Sequence, residues 1–248
     1  MILIIIVNVI PCLDAYSVNS REFMENIIKK LKYIRIESKQ RRIQNIDHRR
    51  NFIFIHIPKN AGTAIYEALG MSRSHHYSSR SYKKILGNAK YDQMIKIAFH
   101  RNPWDRFLSL YNYARMDVSY YHNNINPKDS LYGAHEDYEL LKRATLEDCA
   151  DLLVEGRLKH SKICNHWYPQ AEWLKDTNGV YIEPDFLGCF EDINSDFEKL
   201  KKLLGITTNL ARRNISKKSY YRDLMTDKVR KIVAKYYEED VEIFKYQY

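Results

Sequence analysis

Lys59, Gly62 and Thr63 stand together in Pro58-Lys-Asn-Ala-Gly-Thr63, a hexapeptide suited to an anion. The lysine brings a mobile positive charge, the glycine lets the backbone approach closely, and the threonine adds a hydroxyl donor. With Asn60 and Ala61 between them, these residues read as a phosphate cradle. Arg101 and Ser109 are a second set, an arginine and a serine on either side of Asn102-Pro103 and the apolar run that follows. His75 and His76 are a third, because imidazoles titrate near neutral pH and suit general-base work.

The elements that must position these groups are readable on either side. Phe52, Ile53, Phe54, Ile55 and Ile57 form a β-favouring run that stops at Pro58, and apolar residues resume with helical spacing at Ala64, Ile65, Ala68 and Leu69. Strand, tight loop and helix in that order point backbone N–H groups and the positive helix end at one place. Ile95 to His100 reads as a second buried strand, after which Asn102 suits a cap, Pro103 the first helical turn and Asp105 the positive helix end. Arg101 then falls at the carboxyl end of a strand, where open α/β sheets bind ligands. Ser109 lies about 9 Å along the helix from Pro103, and side chains lean toward the helix N-terminus, so arginine and serine can meet on one phosphate. Asp105 and Arg106 read as a local pair or turn residues, outside the site.

The lysine precedes the only glycine, so the loop is not GxxxxGK[ST], which needs two glycines and a lysine after the second. PKNAGT followed by RNPWDRFLSLY, each closing a strand, resembles the two cosubstrate motifs of the sulfotransferase superfamily, closest to Golgi-type carbohydrate sulfotransferases and their bacterial and viral relatives. The later PQxxWL and FxGxFEDxxxDFxxLxxxLGI patterns, from Pro169 to Ile206, resemble the family too. The resemblance covers the chain from Phe52 onward. It implies a single α/β domain with a central parallel sheet flanked by helices, 3′-phosphoadenosine 5′-phosphosulfate (PAPS) as cosubstrate, and no metal.

By that resemblance Lys59, Asn60, Ala61, Gly62 and Thr63 hold the 5′-phosphosulfate, and Lys59 neutralises the leaving oxygen. Arg101 and Ser109 hold the 3′-phosphate. The family tends to carry a histidine about ten residues before the Leu-Gly that ends the next short helix, and His76 fits that count to Leu86-Gly87; His75, His56 and His100 rank behind it as bases. The Lys-Lys-Ser-Tyr-Tyr-Arg run resembles the family's closing loop, which would bring Lys218, Ser219 and Tyr221 to the nucleotide. Gln170, Trp173 and Glu191 take structural or acceptor-side roles. The rival readings are a non-catalytic polyanion or glycan binder, which explains charge but not two spaced motifs, and a P-loop-type kinase, which should show GK[ST] and an acidic magnesium ligand.

A net charge of +9 over 248 residues fits an anionic partner, whether cosubstrate, polysaccharide, nucleic acid or membrane. No RNA-binding signature or metal-finger spacing argues for nucleic acid, and the 20 tyrosines suit sugar as well. The expected acceptor is therefore a hydroxyl or amine of a carbohydrate, with an anionic glycan included, while a protein tyrosine or a small alcohol would leave a similar sequence. The four cysteines lie far apart without CxxC and read as free thiols, with one bridge among Cys149, Cys164 and Cys189 as the alternative. Residues 1–50 read as a segment apart from the domain at 51–248. Met1 to Leu13 is apolar but too short to span a bilayer, leaving signal, anchor or packed terminus open and with it membrane association and localisation. Arg21 to Arg50 turns basic, with Ile27, Ile28, Leu31 and Ile34 at helical spacing. Tyr113 to Tyr138 reads as an irregular stretch lining the acceptor groove, Leu140 to Gly156 as a helix, and Val180 to Ile182 and Phe186 to Cys189 as strands. A helix from Asp192 or Asn194 to Gly205 and an amphipathic one bearing Val229, Ile232, Val233 and Tyr236 complete the chain.

Overall fold

Phe52–Ile55 (β2) is buried along its whole length, as a central strand covered on both faces must be. The structure, a computed structural model, describes residues 45–71, 75–116, 135–159, 165–211 and 220–248. Side chains alternate across a strand. Phe52 and Phe54 accordingly enter a core with Ile65, Leu69, Phe99, Phe197 and Leu200, while Ile53, Ile55 and Ile57 enter another with Tyr82, Tyr91, Ala98 and Trp173. The helices that cover these faces are α1 (Gly62–Ala68), α2 (Ser79–Leu86), α3 (Asn88–Gln93) and, later in the chain, Ile193–Leu204.

The four-stranded sheet runs in the order β1-β2-β3-β4, with β1 at Ile46–Asp47, β3 at Ile95–His100 and β4 at Phe186–Cys189. β2, β3 and β4 are parallel, pairing Phe54 with Ile97 and His100 with Cys189. β1 is antiparallel to β2. The sheet is thus mixed, its expected parallel centre extended by an edge strand that begins before residue 51. Asn45, fully buried, joins it: its carbonyl accepts from the Phe54 N–H, and its side chain bonds the Phe54 carbonyl. Gly188 faces Phe99 across the parallel pair, and a β-carbon there would come within 2.3 Å of the Phe99 ring.

A third core is helical. It joins α4 (Pro103–Ala114), α5 (Tyr138–Leu141), α6 (Leu146–Val154) and a C-terminal helix at Asp227–Tyr236 through Phe107, Leu110, Leu153, Trp167, Val229, Val233 and Tyr237. The single helix expected over 140–156 is two, because Thr145 forms a capping box with Asp148 and starts α6 afresh. Val180 to Ile182 makes only an isolated bridge, Lys175 with Tyr181. The remaining helices are α7 (Ile193–Leu204), α8 (Tyr220–Leu224), α9 (Asp227–Tyr236) and α10 (Glu238–Ile243). Val229 and Val233 are fully buried, whereas Ile232 and Tyr236 pack at the margin of the core. Among the described residues no helix is long and apolar enough to cross a membrane. Cys149 and Cys189 are free thiols.

Candidate active site

β2 and β3 are parallel neighbours, so the chain leaves both at the same edge of the sheet, and Pro58-Lys59 lies beside Arg101. Between β2 and α1 the backbone turns left-handed at Lys59 (φ 69°) and again at Ala61 (φ 59°). Non-glycine residues rarely adopt this conformation, which costs about 1–3 kcal/mol each when the surroundings enforce it. Alternating handedness of this kind curls backbone N–H groups toward a common concavity. α1 has only seven residues, so the loop and its lysine, more than a helix dipole, set the field here.

The surroundings that enforce the loop are polar and buried. Asn60 donates to the Phe99 carbonyl and to Gln170 Oε1, both at 2.7 Å, while its own Oδ1 is buried without a partner. Arg106, fully buried, donates from Nε to the Pro58 carbonyl at 3.0 Å, from Nη2 to that of His166 at 2.7 Å and from Nη1 to that of Tyr168 at 3.1 Å. One guanidinium therefore ties α4 to the loop and to residues 166–168.

Lys59 keeps part of its surface exposed, yet burial of its ammonium, reinforced by the Arg101 charge, pulls its pKa down to about 8. The ammonium lies over the Tyr113 ring, 4.2 Å from its centre, and among the described residues no carboxylate pairs with it. Arg101 is buried against Phe190, its guanidinium 4.0 Å from the ring centre. Its Nε and Nη2 bond Asp105, both at 2.8 Å, and its Nη1 donates to the Lys59 carbonyl at 2.8 Å. Asp105, read as outside the site, is thus the partner of its arginine.

Ser109 sits one helical turn from Asp105 and one from Tyr113, and residues four apart share a helix face. Asp105 touches Arg101 and Tyr113 touches Lys59. Ser109 therefore occupies the same stripe of α4; it and Asp105 are the partly exposed residues of an otherwise buried run from Pro103 to Tyr111, and Tyr113 beyond that run is partly exposed too. Thr63 is in the first turn of α1 and partly buried. Gly62 is buried against His56.

His76 is the centre of a histidine cluster. Its ring lies 4.2 Å from that of His56 and 4.3 Å from that of His166, centre to centre. Nδ1 is 2.9 Å from the His56 carbonyl oxygen; a carbonyl can only accept, so Nδ1 carries the proton and Nε2 the lone pair. Burial pulls the His76 pKa down to about 4, with the charges of His75, Lys59 and Arg106 acting the same way against the hydrogen bond to His56. Burial likewise holds His56 well below the ordinary imidazole range. Trp173 Nε1 donates to the His76 carbonyl at 3.3 Å, and Asn45 brackets the His75 backbone with bonds of 2.7 and 2.8 Å.

The other expected residues are dispersed. His75 is exposed and its ring leans on Tyr77. His100 bonds Tyr246 through Nδ1 at 2.7 Å and stacks on Phe244. Tyr221 is packed into the helical core against Tyr248. Lys218 and Ser219 lie outside the described residues. Glu191 accepts from the Asn102 N–H at 2.8 Å and from Tyr246 at 2.8 Å.

His166 and Asp240 are absent from the sequence reading, Arg106 was placed outside the site, and Gln170 entered it without a defined task. Gln170 Oε1 accepts from Asn60 and from the Arg101 N–H at 2.9 Å, and its Nε2 donates to the Arg101 carbonyl at 2.8 Å. Asp240 accepts from the N–H groups of Gln170 and Ala171 at 2.7 and 2.9 Å. Burial pushes its pKa up to about 6 against the opposing pull of Arg106 and these hydrogen bonds. Among the described residues no group of three or more His, Cys, Asp and Glu side chains is arranged to hold a metal ion.

A family model described as Sulfotransferase family matches residues 44–247. Comparison with curated proteins and with solved structures returned no match.

Proposed function

The chain belongs to the sulfotransferase family, and on that premise we propose that it moves a sulfuryl group from PAPS to a hydroxyl of a carbohydrate acceptor, leaving adenosine 3′,5′-bisphosphate. The observation that carries the reading is Lys59: a desolvated ammonium facing aromatic carbon, beside a second cation and with no carboxylate on it among the described residues. Burying an unpaired charge is expensive, and an anionic ligand offsets that cost. The residues fit such a ligand. Lys59 to Thr63 suit the 5′ end and Arg101 with Ser109 the 3′-phosphate.

PAPS, when bound, supplies an activated sulfuryl group whose bridging oxygen becomes negative as the bond breaks. Lys59 neutralises that charge, which makes electrostatic stabilisation the main task of the protein. His76 takes the acceptor's proton at Nε2, the nitrogen that the His56 carbonyl leaves basic. Burial, with the charges of His75, Lys59 and Arg106, holds its pKa down at about 4. Negative charge brought beside Lys59 raises it toward the range where a base is useful.

The test is thermal unfolding of the full chain with adenosine 3′,5′-bisphosphate, adenosine 5′-monophosphate or ATP with magnesium. A ligand at 100 times its dissociation constant stabilises by about 2.7 kcal/mol. Selective stabilisation by the bisphosphate, lost in Arg101→Ala, together with transfer of label from PAPS to glycans, is the expected result. Equal use of ATP with magnesium would overturn the reading in favour of a kinase, and stabilisation by glycans alone in favour of a non-catalytic binder.

A further inference from the structure

We infer that Gln170 is a positioning residue that couples the two ends of the cosubstrate site; the inference rests on the function proposed above. Its carboxamide stands between the two motifs and bonds both. Oε1 accepts from the Asn60 side chain in the loop and from the Arg101 backbone at the end of β3, and Nε2 returns a bond to the Arg101 carbonyl. Three of its bonds thus clamp the residue that follows Lys59 and the backbone of the residue opposite it. Arg101 also donates to the Lys59 carbonyl. The loop and the arginine therefore keep one spacing, set by a fully buried amide of fixed length.

The amide's own orientation is fixed from behind. Asp240, fully buried at the start of α10, accepts from the Gln170 N–H at 2.7 Å and from Nε2 at 3.3 Å. An ionised or shared carboxylate accepts and so holds Nε2 toward itself and the Arg101 carbonyl, leaving Oε1 to face the two donors. A cosubstrate anchored at both ends gains from a fixed spacing, because ordering the second contact then costs little once the first has formed. Loss of the clamp should show chiefly in the advantage of a two-ended ligand over a one-ended one.

The variant that isolates this is Gln170→Glu. It keeps the shape and the acceptor for Asn60 and Arg101, but sets a carboxylate oxygen against the Arg101 carbonyl and Asp240. The charged and titratable groups around the position are Asp240 and Tyr237 on the C-terminal side, Arg106 of α4, and Arg101 and Lys59 at the strand ends. Dissociation constants of adenosine 3′,5′-bisphosphate and adenosine 5′-monophosphate are measured by titration calorimetry on the full chain at pH 8 and pH 5.5. The expected result is a preference for the bisphosphate that falls about tenfold in Gln170→Glu at pH 8 and recovers toward pH 5.5, because burial beside Asp240, itself raised to about 6, lifts the new carboxyl as well and a protonated carboxyl donates again.

A preference at pH 8 equal to that of the unaltered protein overturns the coupling, even if the variant melts earlier, since a purely structural role moves the melting temperature and not the ratio. Should Gln170→Glu not fold at pH 8, Asp240→Asn loosens the same amide from behind. It is expected to lower the preference in the same direction, and an unchanged ratio there overturns the coupling equally. No preference for the bisphosphate in the unaltered protein would instead overturn the function reading, and the coupling with it.

Discussion

Gly62 lies so close to the imidazole of His56 that a β-carbon on it would stand 1.7 Å from Nε2. By sequence the glycine answers to a phosphate that needs close approach. By packing it answers first to the buried imidazole of His56, which lies 4.2 Å from the ring of His76, centre to centre. The anion loop and the candidate base thus share one steric constraint.

Gly62→Ala is therefore expected to destabilise the protein by about 1–3 kcal/mol or more, as overpacking of a filled interior does. Removing the obstacle should return part of the loss. In urea denaturation, Gly62→Ala combined with His56→Ala is expected to cost less than the sum of the two single changes, by about 1 kcal/mol or more. Strict additivity would mean that the loop moves aside and that the contact constrains nothing.

His76→Asn removes the basic nitrogen while leaving a polar group of similar reach. Loss of a general base costs about 10²- to 10⁴-fold in kcat. Binding of the bisphosphate should stay within about twofold, because the base acts only in the transition state. A fall in binding that matched the fall in kcat would make His76 a structural residue and bring His166, its neighbour in the cluster, into consideration as the base.

Stability between pH 7 and pH 5 sets two buried groups against each other. His76 keeps a folded pKa of about 4 against an ordinary 6.5, so the unfolded chain binds its proton first and acid destabilises, by about 2 kcal/mol at pH 5. Asp240 is the reverse: raised to about 6 from 3.8, it takes up a proton in the folded state first and returns about 1 kcal/mol over the same interval. Melting of His76→Asn should consequently be less sensitive to acid than that of the unaltered protein, and melting of Asp240→Asn more sensitive. Parallel pH profiles for all three would show that neither group is titrating as its burial implies.

The local grammar of the site was legible because each part of it is written within a few residues. Strand, tight loop and helix around PKNAGT show as a change of hydrophobic period, and Asn102-Pro103 carries its own cap, which accepts from the Trp104 and Asp105 N–H groups. Edge strand β1 was not legible, since two residues have no period, and neither was the break at Thr145, which a continuing apolar pattern conceals. The residues that hold the site in place were hidden for another reason. Arg106, Gln170, His166 and Asp240 work through contacts with chain 48 to 110 residues away. No spacing rule within a segment reaches that far. Arg101 was picked out for its position, but Asp105 was read as a local partner of Arg106 and left outside the site, whereas the structure pairs it with Arg101.

Lys59→Met separates stability from function most sharply. The folded protein holds this ammonium at a pKa of about 8 against 10.5 in the open chain. Between those values the unfolded state binds more protons, so stability of the unliganded protein rises as pH rises from 8 toward 10.5 and is depressed below pH 8. A methionine of similar reach has no charge to desolvate and can rest on Tyr113 as sulfur against a ring. At pH 7 the variant should unfold later than the unaltered protein by about 1–3 kcal/mol, the lower end applying if the loss of the cation–π contact is felt. Its response to the bisphosphate and its turnover of PAPS should vanish together, because the stabilising change removes the charge that the ligand is there to meet. A variant that melted earlier than the unaltered protein would show that Lys59 is already compensated without ligand, and the argument from an uncompensated buried cation would fall.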